Sequence, residues 1–170
     1  IEDLSTEITE DELKEVFIDE WGVKYSKDGR KLLEAPKELR GGYSVKEGTG
    51  IICNNAFVGC SLSNIAIPDS VTAIGCGAFS RCSSLSNIVI PKSVICLNGN
   101  PFSDWEGMLE CLSPNFIYED DVLFNKDKSE IVSFRNQKIE SYIIPDSVTS
   151  IGDDAFCGCS SLSNIVIPNG

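Results

Sequence analysis

A 23-residue unit constrains the fold of this chain more than any other feature. It occurs without a gap in residues 71–93 and 148–170, and a third copy, residues 49–70, is one residue shorter. A repeat of this length is typical of a solenoid, in which each turn buries its apolar side chains only against neighbouring turns. The sequence therefore predicts a solenoid.

Each unit contains a short strand pattern that ends at a proline. Ile88 and Ile90 are predicted to point inward, and the alternating Asn87 and Val89 to point outward. Proline lacks the N–H that a β-ladder needs, so it ends each strand. The same exit is marked by Pro68, Pro91, Pro145 and Pro168.

A second short extended segment is predicted after the proline, where Val71 and Ile74 are apolar, and Gly75 supplies the next bend. A small residue followed by Phe then recurs once per unit. We expect it to form one stacked core position on a helical or 3₁₀ turn. The pairs are residues 56–57, 78–79, 101–102 and 155–156.

One unit is much longer than the others. It begins at Val94 and does not reach its exit until Pro145, so we expect a single rung, residues 94–147, with a 31-residue insertion. Residues 122–134 hold two β-rich runs around an Asn-Lys-Asp-Lys turn, which predicts a hairpin within the insertion.

The N-terminal region repeats this inserted part. Residues 17–57 align with residues 116–156 without a gap and share ten identities with them. We therefore expect residues 23–48 to form the hairpin and strand of a truncated long repeat, ahead of the repeats in residues 49–170.

An acidic helix is expected in front of this hairpin. Thr9 and Glu12 form a capping box, in which each side chain satisfies a backbone N–H of the other residue. Helical spacing would extend the helix to Trp21, whereas the internal alignment makes Phe17 extended. We interpret residues 1–22 as an N-terminal cap, because the terminal repeats of a solenoid need a polar outer face.

Two copies share the order I-P-x-S-V-T-x-I-G-x-x-A-F-x-x-C-S-S-L, the third copy shares its A-F-x-x-C-S part, and the insertion contains DDVLFNKDKSEIVSF. From about Trp21 onward, the chain resembles the BspA-like class of bacterial leucine-rich repeats, which also occurs in some protozoan surface proteins. The resemblance implies a leucine-rich-repeat solenoid: a β-rich α/β right-handed superhelix with short parallel strands on its concave face and short helical turns opposite. It also implies cell-surface or secreted proteins that act in adhesion, and no shared catalytic residues.

Several kinds of chemistry are disfavoured by composition. The chain has no histidine, which removes histidine-dependent catalytic triads and zinc sites. Its net charge of −12 argues against a nucleic-acid partner. Asn125, Asp127 and Ser129 have the spacing that opens a calcium loop, but a hairpin turn with Asx hydrogen bonds is favoured because Glu130 stands where such a loop needs glycine. We expect no enzyme activity, cofactor or metal.

Eight cysteines raise the question of disulfides. We expect free thiols stacked in a ladder, because free cysteine behaves as a small buried hydrophobe. A Cys60–Cys82 disulfide is the main alternative, and Cys53 and Cys157 are expected to be more exposed. The ladder position is Cys60, Cys82 and Cys159.

Two surfaces are candidates for binding a protein. The first is the set of outward strand positions on the concave face, which are Asn64, Ala66, Asn87, Val89, Asn164 and Val166. The second is a non-repeating patch of Trp105, Met108, Phe116 and Tyr118. In the alternative interpretation of this patch, Met108 and Phe116 pack a displaced rung and Trp105 covers it.

We therefore expect a non-catalytic binding or adhesion module, displayed on the cell surface or secreted, with a host or neighbouring-cell protein as its partner. No stretch is apolar enough to insert into a membrane. The alternatives are a structural spacer that self-associates through its C-terminal edge, and an intracellular protein-interaction scaffold. Unpaired thiols would favour the scaffold.

Overall fold

The computed structural model describes residues 3–168, which form a solenoid of six turns, numbered here rung 1 to rung 6. Each rung supplies one back strand and one front strand. The back strands are β3 (Lys31–Glu34), β5 (Ile51–Ile52), β7 (Ala73–Ile74), β9 (Cys96–Leu97), β13 (Glu130–Phe134) and β15 (Ser150–Ile151). The front strands are β4 (Arg40–Ser44), β6 (Ser61–Ala66), β8 (Asn87–Ile90), β10 (Met108–Cys111), β14 (Ser141–Ile143) and β16 (Asn164–Val166). The predicted solenoid is confirmed: the back strands of rungs 1–4 pair in parallel, and so do those of rungs 5 and 6.

The core lies between the front and back strands. Ile74 of β7 and both isoleucines of β8, Ile88 and Ile90, have no exposed surface. Asn87 and Val89 alternate with them and point outward, where Asn87 is exposed and Val89 half-buried. The inward and outward assignments made from the alternating pattern are therefore correct for this rung.

The Ala-Phe segments connect back strands to front strands as turns, and not as the helical turns that we expected. Phe57, Phe79 and Phe102 do stack in successive rungs, with ring centroids 5.5 and 6.1 Å apart. No continuous helix forms because only alternate N–H groups bond within the rung, as Ala56 N–H does to Cys53 O at 3.2 Å, and the others bond to the next rung. The Phe57 N–H donates to Ala78 O at 2.8 Å, and the Phe79 N–H to Pro101 O at 2.9 Å. Backbone groups satisfied in this way need no helix.

Residues 94–147 hold two rungs and a hairpin, where we expected one long rung. In β10, Leu109 lies opposite Ile88 and Cys111 lies opposite Ile90, so rung 4 has its own front strand. The sequence conceals this strand because Met-Leu-Glu-Cys has neither the Asn-Ile pair nor the final proline of the other copies.

Two hairpins precede rung 1 and rung 5. In the first, β1 (Val16–Ile18) pairs antiparallel with β2 (Lys24–Ser26), and β2 pairs with β3. In the second, β11 (Phe116–Glu119) pairs with β12 (Val122–Asn125), and β12 pairs with β13. The internal repeat seen in the sequence is thus present in the fold.

The gapless alignment is one residue out of register in the first strand of each hairpin. Phe17 pairs with Tyr25, and the structurally equivalent pair is Ile117 with Phe124. The alignment instead matched Phe17 with Phe116. The cause is the length of the connection, since Phe17 and Tyr25 are eight positions apart in the chain, whereas Ile117 and Phe124 are seven positions apart.

The second hairpin lies between two hydrophobic cores. The face that packs on the core of rungs 1–4 carries Phe116, Tyr118, Leu123 and Val132. The opposite face packs on the core of rungs 5 and 6 and carries Ile117, Val122, Phe124, Ile131 and Phe134. Neither β11 nor β13 joins β9, so the back sheet is interrupted between rung 4 and rung 5.

Arg135 joins the two halves at this interruption. Its guanidinium donates to the carbonyl oxygens of Phe102, Trp105 and Gly107 at 3.0, 2.8 and 3.0 Å. It also lies 4.6 Å from the centroid of the Trp105 ring. Burial lowers the pKa of Arg135, and a buried charge is tolerated only where such acceptors surround it.

The N-terminal cap consists of an extended segment, residues 3–9, which we name the strap, and a short helix, α1 (Glu10–Lys14). The capping box is confirmed: Thr9 N–H donates to Glu12 Oε1 at 2.9 Å, and Glu12 N–H donates to Thr9 Oγ1 at 3.2 Å. The helix does not continue to Trp21. It ends early because it buries no residue of its own, whereas β1 gains a paired partner strand.

Gly75 is required by the close approach of the neighbouring rung. A Cβ atom at this position would lie 2.3 Å from Asn54 Oδ1. We expect Gly75→Ala to lower the free energy of unfolding by about 1–3 kcal/mol, the usual cost of overpacking. Chemical denaturation followed by circular dichroism measures the change. Gly42→Ala is the control, because a Cβ there meets nothing within 4 Å; equal effects of the two substitutions would contradict the argument.

Candidate binding face

The front strands of rungs 1–4 place their outward side chains in columns, and we name this surface the front face. Gly42 and Ser44 of β4 lie opposite Asn64 and Ala66 of β6. β4–β6 and β8–β10 are two separate two-stranded sheets, but β6 and β8 are in contact. The Ser86 hydroxyl donates to Ser63 O at 3.5 Å, so Asn87 lies beside Asn64. Periodic strands of a solenoid thus form a continuous surface from four separate stretches of sequence.

Rung 4 completes the columns with different chemistry. Met108 lies opposite Asn87, and Glu110 lies opposite Val89. The Met108 side chain is 77% exposed, and Leu112, just beyond the strand, is 56% exposed. The front face therefore changes from small polar and apolar groups on rungs 1–3 to a large flexible apolar group and a carboxylate on rung 4.

The amides of the front face are available to a partner. Among residues 3–168, no side-chain hydrogen bond joins Asn64 or Asn87 to another group of the protein, and both residues are exposed. An amide offers two donors and an acceptor. Because the strands below hold the backbone, little conformational freedom of the main chain remains to be lost on binding.

Asn164 and Val166 do not join this surface. They lie on β16, which pairs with β14 beyond the second hairpin, in the half of the solenoid formed by rungs 5 and 6. There, Asn164 lies opposite Ser141 and Val166 lies opposite Ile143. The structure therefore brings together the predicted residues of rungs 2 and 3 and leaves those of rung 6 in the second half.

The non-repeating patch is divided. Trp105, which we proposed as part of an exposed patch, is only 2% exposed, and its indole N–H donates to Leu85 O at 2.9 Å. Phe116 and Tyr118 are half-buried against the core of rungs 1–4. The alternative interpretation is correct for Trp105 and Phe116, which pack this region. Met108 points outward, so it is the one residue of the patch that extends the front face.

The sequence did not indicate the part of the front face on rung 1. β4 has the sequence Arg-Gly-Gly-Tyr-Ser, which lacks the Asn-Ile motif, and its register shifts between Gly41 and Gly42. The signal that could have found it is Tyr43, which the internal alignment matches with Tyr142 of the front strand β14.

A ladder of thiols lies under the turns that lead into the front strands. All eight cysteines are free, so the Cys60–Cys82 disulfide is absent. Cys60, Cys82 and Cys159 donate to carbonyl oxygens of the preceding rung at 3.4, 3.0 and 3.4 Å. Cys157 is exposed as expected, but Cys53 is buried, which corrects our expectation for it.

Metal binding has no support in the geometry. Within residues 3–168, no group of three or more Cys, Asp or Glu side chains is arranged to hold a metal ion. In the second hairpin turn, Asn125 Oδ1 accepts the N–H groups of Ser129 and Glu130, and Asp127 Oδ1 accepts that of Ser129. The oxygens considered for calcium are thus used by the turn itself.

Comparison with known families decides the relationship. A family described as BspA type Leucine rich repeat region matches residues 49–125 and 128–170 with six copies. The chain belongs to this family. The matched residues contain rungs 2–6, and the resemblance inferred from the repeats is confirmed. No curated protein matches the chain.

Solved structures of bacterial leucine-rich-repeat proteins have a similar fold. The pneumococcal vaccine antigen PcpA has a TM-score of 0.65 and 26% identity, over 78% of this chain and 34% of that one. A leucine-rich cell surface protein of Faecalibacterium prausnitzii has a TM-score of 0.61 and 28% identity, over 76% and 42% of the two chains. A leucine-rich repeat protein of Eubacterium ventriosum, with 22% identity and a TM-score of 0.51, shows the fold alone, over 73% and 43% of the two chains. The chain spans less than half the length of each.

In the part of the chain that the structure describes, none of the helical segments is both long and apolar enough to cross a bilayer.

The buried thiols predict a loss of stability at alkaline pH. Burial raises the pKa of Cys60 to about 12 and that of Cys82 to about 11, from an ordinary value of 9.0. Below pH 9 the thiols are protonated in both states, so they leave stability unchanged. Above pH 9 they ionise first in the unfolded chain, and stability falls until the folded thiols also ionise.

We therefore expect the urea midpoint to be level from pH 7 to 8.5 and to fall between pH 9 and 11. Cys60→Ala should make this fall shallower, because one of the titrating groups is removed. An identical pH dependence in the variant would contradict the assignment to the ladder.

Proposed function

We propose that this chain is a non-catalytic protein-binding module of a cell-surface or secreted bacterial protein, and that it binds through the front face. The observation that carries the proposal is the alignment of unpaired amides, small side chains and Met108 on four adjacent front strands. Interfaces use such a combination of adaptable hydrogen-bonding groups and exposed apolar anchors.

The comparisons support the cellular context. One structural neighbour is a leucine-rich cell surface protein and another is a pneumococcal vaccine antigen. Leucine-rich repeats generally mediate protein–protein contacts and carry no shared catalytic residues. A host or neighbouring-cell surface protein is therefore the partner that we propose, with adhesion as the consequence of binding.

Substitutions at the centre of the front face should abolish binding. We expect the purified chain, immobilised on beads, to capture a defined protein from a surface-biotinylated epithelial cell extract, and we expect Ala66→Lys and Asn87→Lys to lose that protein. Each places a long charged side chain where the partner would lie. The loss is measured by mass spectrometry of captured proteins and then as Kd with the purified partner.

Ser84→Lys is the matched control for these variants. Ser84 is exposed but lies outside the front strands. It should retain the partner with unchanged Kd, and all variants should keep the circular dichroism spectrum of the parent. A partner that is retained by both front-face variants would refute the proposed surface.

Self-assembly is a second candidate, and the exposure of rung 6 favours it. Ile151 and Ile165 are 50% and 39% exposed, whereas Ile74 and Ile88 at the same repeat positions are fully buried. Apolar side chains of a rung are buried when another rung stacks on them. A second copy of the chain could supply that rung through the C-terminal edge.

Light scattering separates the two candidates. A binding module remains at the monomer mass of 18.5 kDa over a hundredfold range of concentration. A self-assembling unit gives a mass that rises with concentration, and Ile165→Lys restores the monomer. A constant monomer mass would eliminate self-assembly through this edge.

A further inference from the structure

The strap crosses the back sheet from rung 4 to rung 1. At rung 4, Asn98 Nδ2 donates to Leu4 O at 3.3 Å and to Thr6 Oγ1 at 2.9 Å. At rung 2, Thr6 Oγ1 donates to Asn54 Oδ1 at 2.7 Å, and Asn54 N–H donates to Thr6 O at 2.8 Å. At rung 1, Lys31 Nζ lies 3.0 Å from Glu12 Oε2, in the helix that follows the strap.

Under the strap lies an apolar floor on the outward side of the back strands. Leu33, Ile51, Cys53 and Ala73 are between 0% and 7% exposed. Leu4 and Ile8 of the strap and Val16 of β1 pack against them. An outward-facing sheet surface of this kind is stable only when a polypeptide covers it.

The back strand of rung 6 has no such floor. Ser150 of β15 stands at the repeat position of Ala73 and is exposed. The two copies, residues 71–93 and 148–170, are identical at 16 of 23 positions. The apolar residue therefore occurs where a polypeptide lies over the sheet. The floor is not a general property of the repeat, and we name it the groove under the strap.

The strap has limited apolar contact with this groove, although Thr6 is buried. Leu4 and Ile8 are only half-buried, and Ser5 and Glu7 point to solvent. Ordering seven backbone residues costs conformational entropy that two aliphatic side chains and a few hydrogen bonds offset only narrowly. Segments with these features open at low free energy while the rest of a protein stays folded.

We propose that the groove under the strap is a second interaction site, independent of the front face. It binds an extended segment of a partner protein, and the strap is its built-in competitor. The strap defines the chemistry of the segment that fits: two branched aliphatic residues four positions apart for the floor, a hydroxyl midway between them for Asn54 and Asn98, and an acidic residue for Lys31.

The competition follows from tethering. A tethered strap acts at an effective concentration in the millimolar range, so a free segment with the same contacts binds the closed protein weakly. Partners gain access as the strap opens, and their apparent affinity rises as the strap is weakened.

The test uses the full chain and a fluorescently labelled peptide with the sequence of residues 3–15. Leu4→Ala combined with Ile8→Ala weakens the strap and leaves the floor unchanged. We expect this variant to bind the peptide at least about tenfold more tightly than the parent chain, because losing about 1.4 kcal/mol of strap binding corresponds to tenfold. A peptide in which both aliphatic residues are Asp should not bind.

Two controls make the result specific. Ser5→Ala combined with Glu7→Ala changes exposed strap side chains, so it should leave peptide affinity at the parent value. Asn87→Lys on the front face should also leave the peptide affinity unchanged. Because this substitution disrupts only the front face, failure of this proposal can be distinguished from failure of the proposed function.

Alkylation of Cys53 provides a second measurement that does not depend on the weakened variant. Cys53 is fully buried under the strap. In the parent chain, excess peptide should slow its alkylation, mapped by mass spectrometry, because the peptide covers the groove each time the strap opens. Equal peptide affinity in the parent and the strap-weakened variant, or alkylation of Cys53 that the peptide does not change, would overturn the proposal.

Discussion

Burial of each rung against its neighbours is the interaction on which the structure depends. A single rung has two short strands and one turn, too little to enclose an apolar side chain. Stacking changes this, as Phe79 shows: it lies between Phe57 and Phe102 in nearly parallel rings and has no exposed surface. The inter-rung hydrogen bonds follow the same geometry, so side-chain packing and backbone pairing reinforce each other along the axis.

Two features modify this regular stack, and both involve polypeptide laid over a sheet. Between rungs 4 and 5, the second hairpin separates two cores and Arg135 fastens it to the turns of rung 4. On rungs 1–4, the strap lies over the back sheet. The first separates the front strands of rungs 1–4 from those of rungs 5 and 6. The second covers apolar residues of the back strands, one of which, Ala73, is replaced by Ser150 in rung 6. Departures from the repeat thus determine which surfaces are open to partners.

Much of the fold could be predicted from the sequence, because its determinants are periodic. Alternation identified Ile88 and Ile90 as inward-facing, and repetition identified the duplicated hairpin. Prediction failed where a strand lacks the recognisable residues of the repeat. The strand Met-Leu-Glu-Cys shares only inward apolar residues with its copies, and a difference in the length of the connection shifted the alignment of β11 by one residue. The candidate site was predicted in part, since Asn64 and Asn87 repeat visibly but Gly42 and Ser44 follow no motif.

The sequence by itself determined the repeat, its inward and outward positions and the family of the chain. These are local properties, set by side-chain alternation and by proline at strand ends. Only the tertiary structure decided that Trp105 is buried, that Asn164 lies on a different sheet from Asn87, and that the strap covers Cys53. These properties depend on contacts between segments that are far apart in the chain. Because the rungs are similar to one another, the repeat pattern alone does not determine which rung an irregular segment contacts.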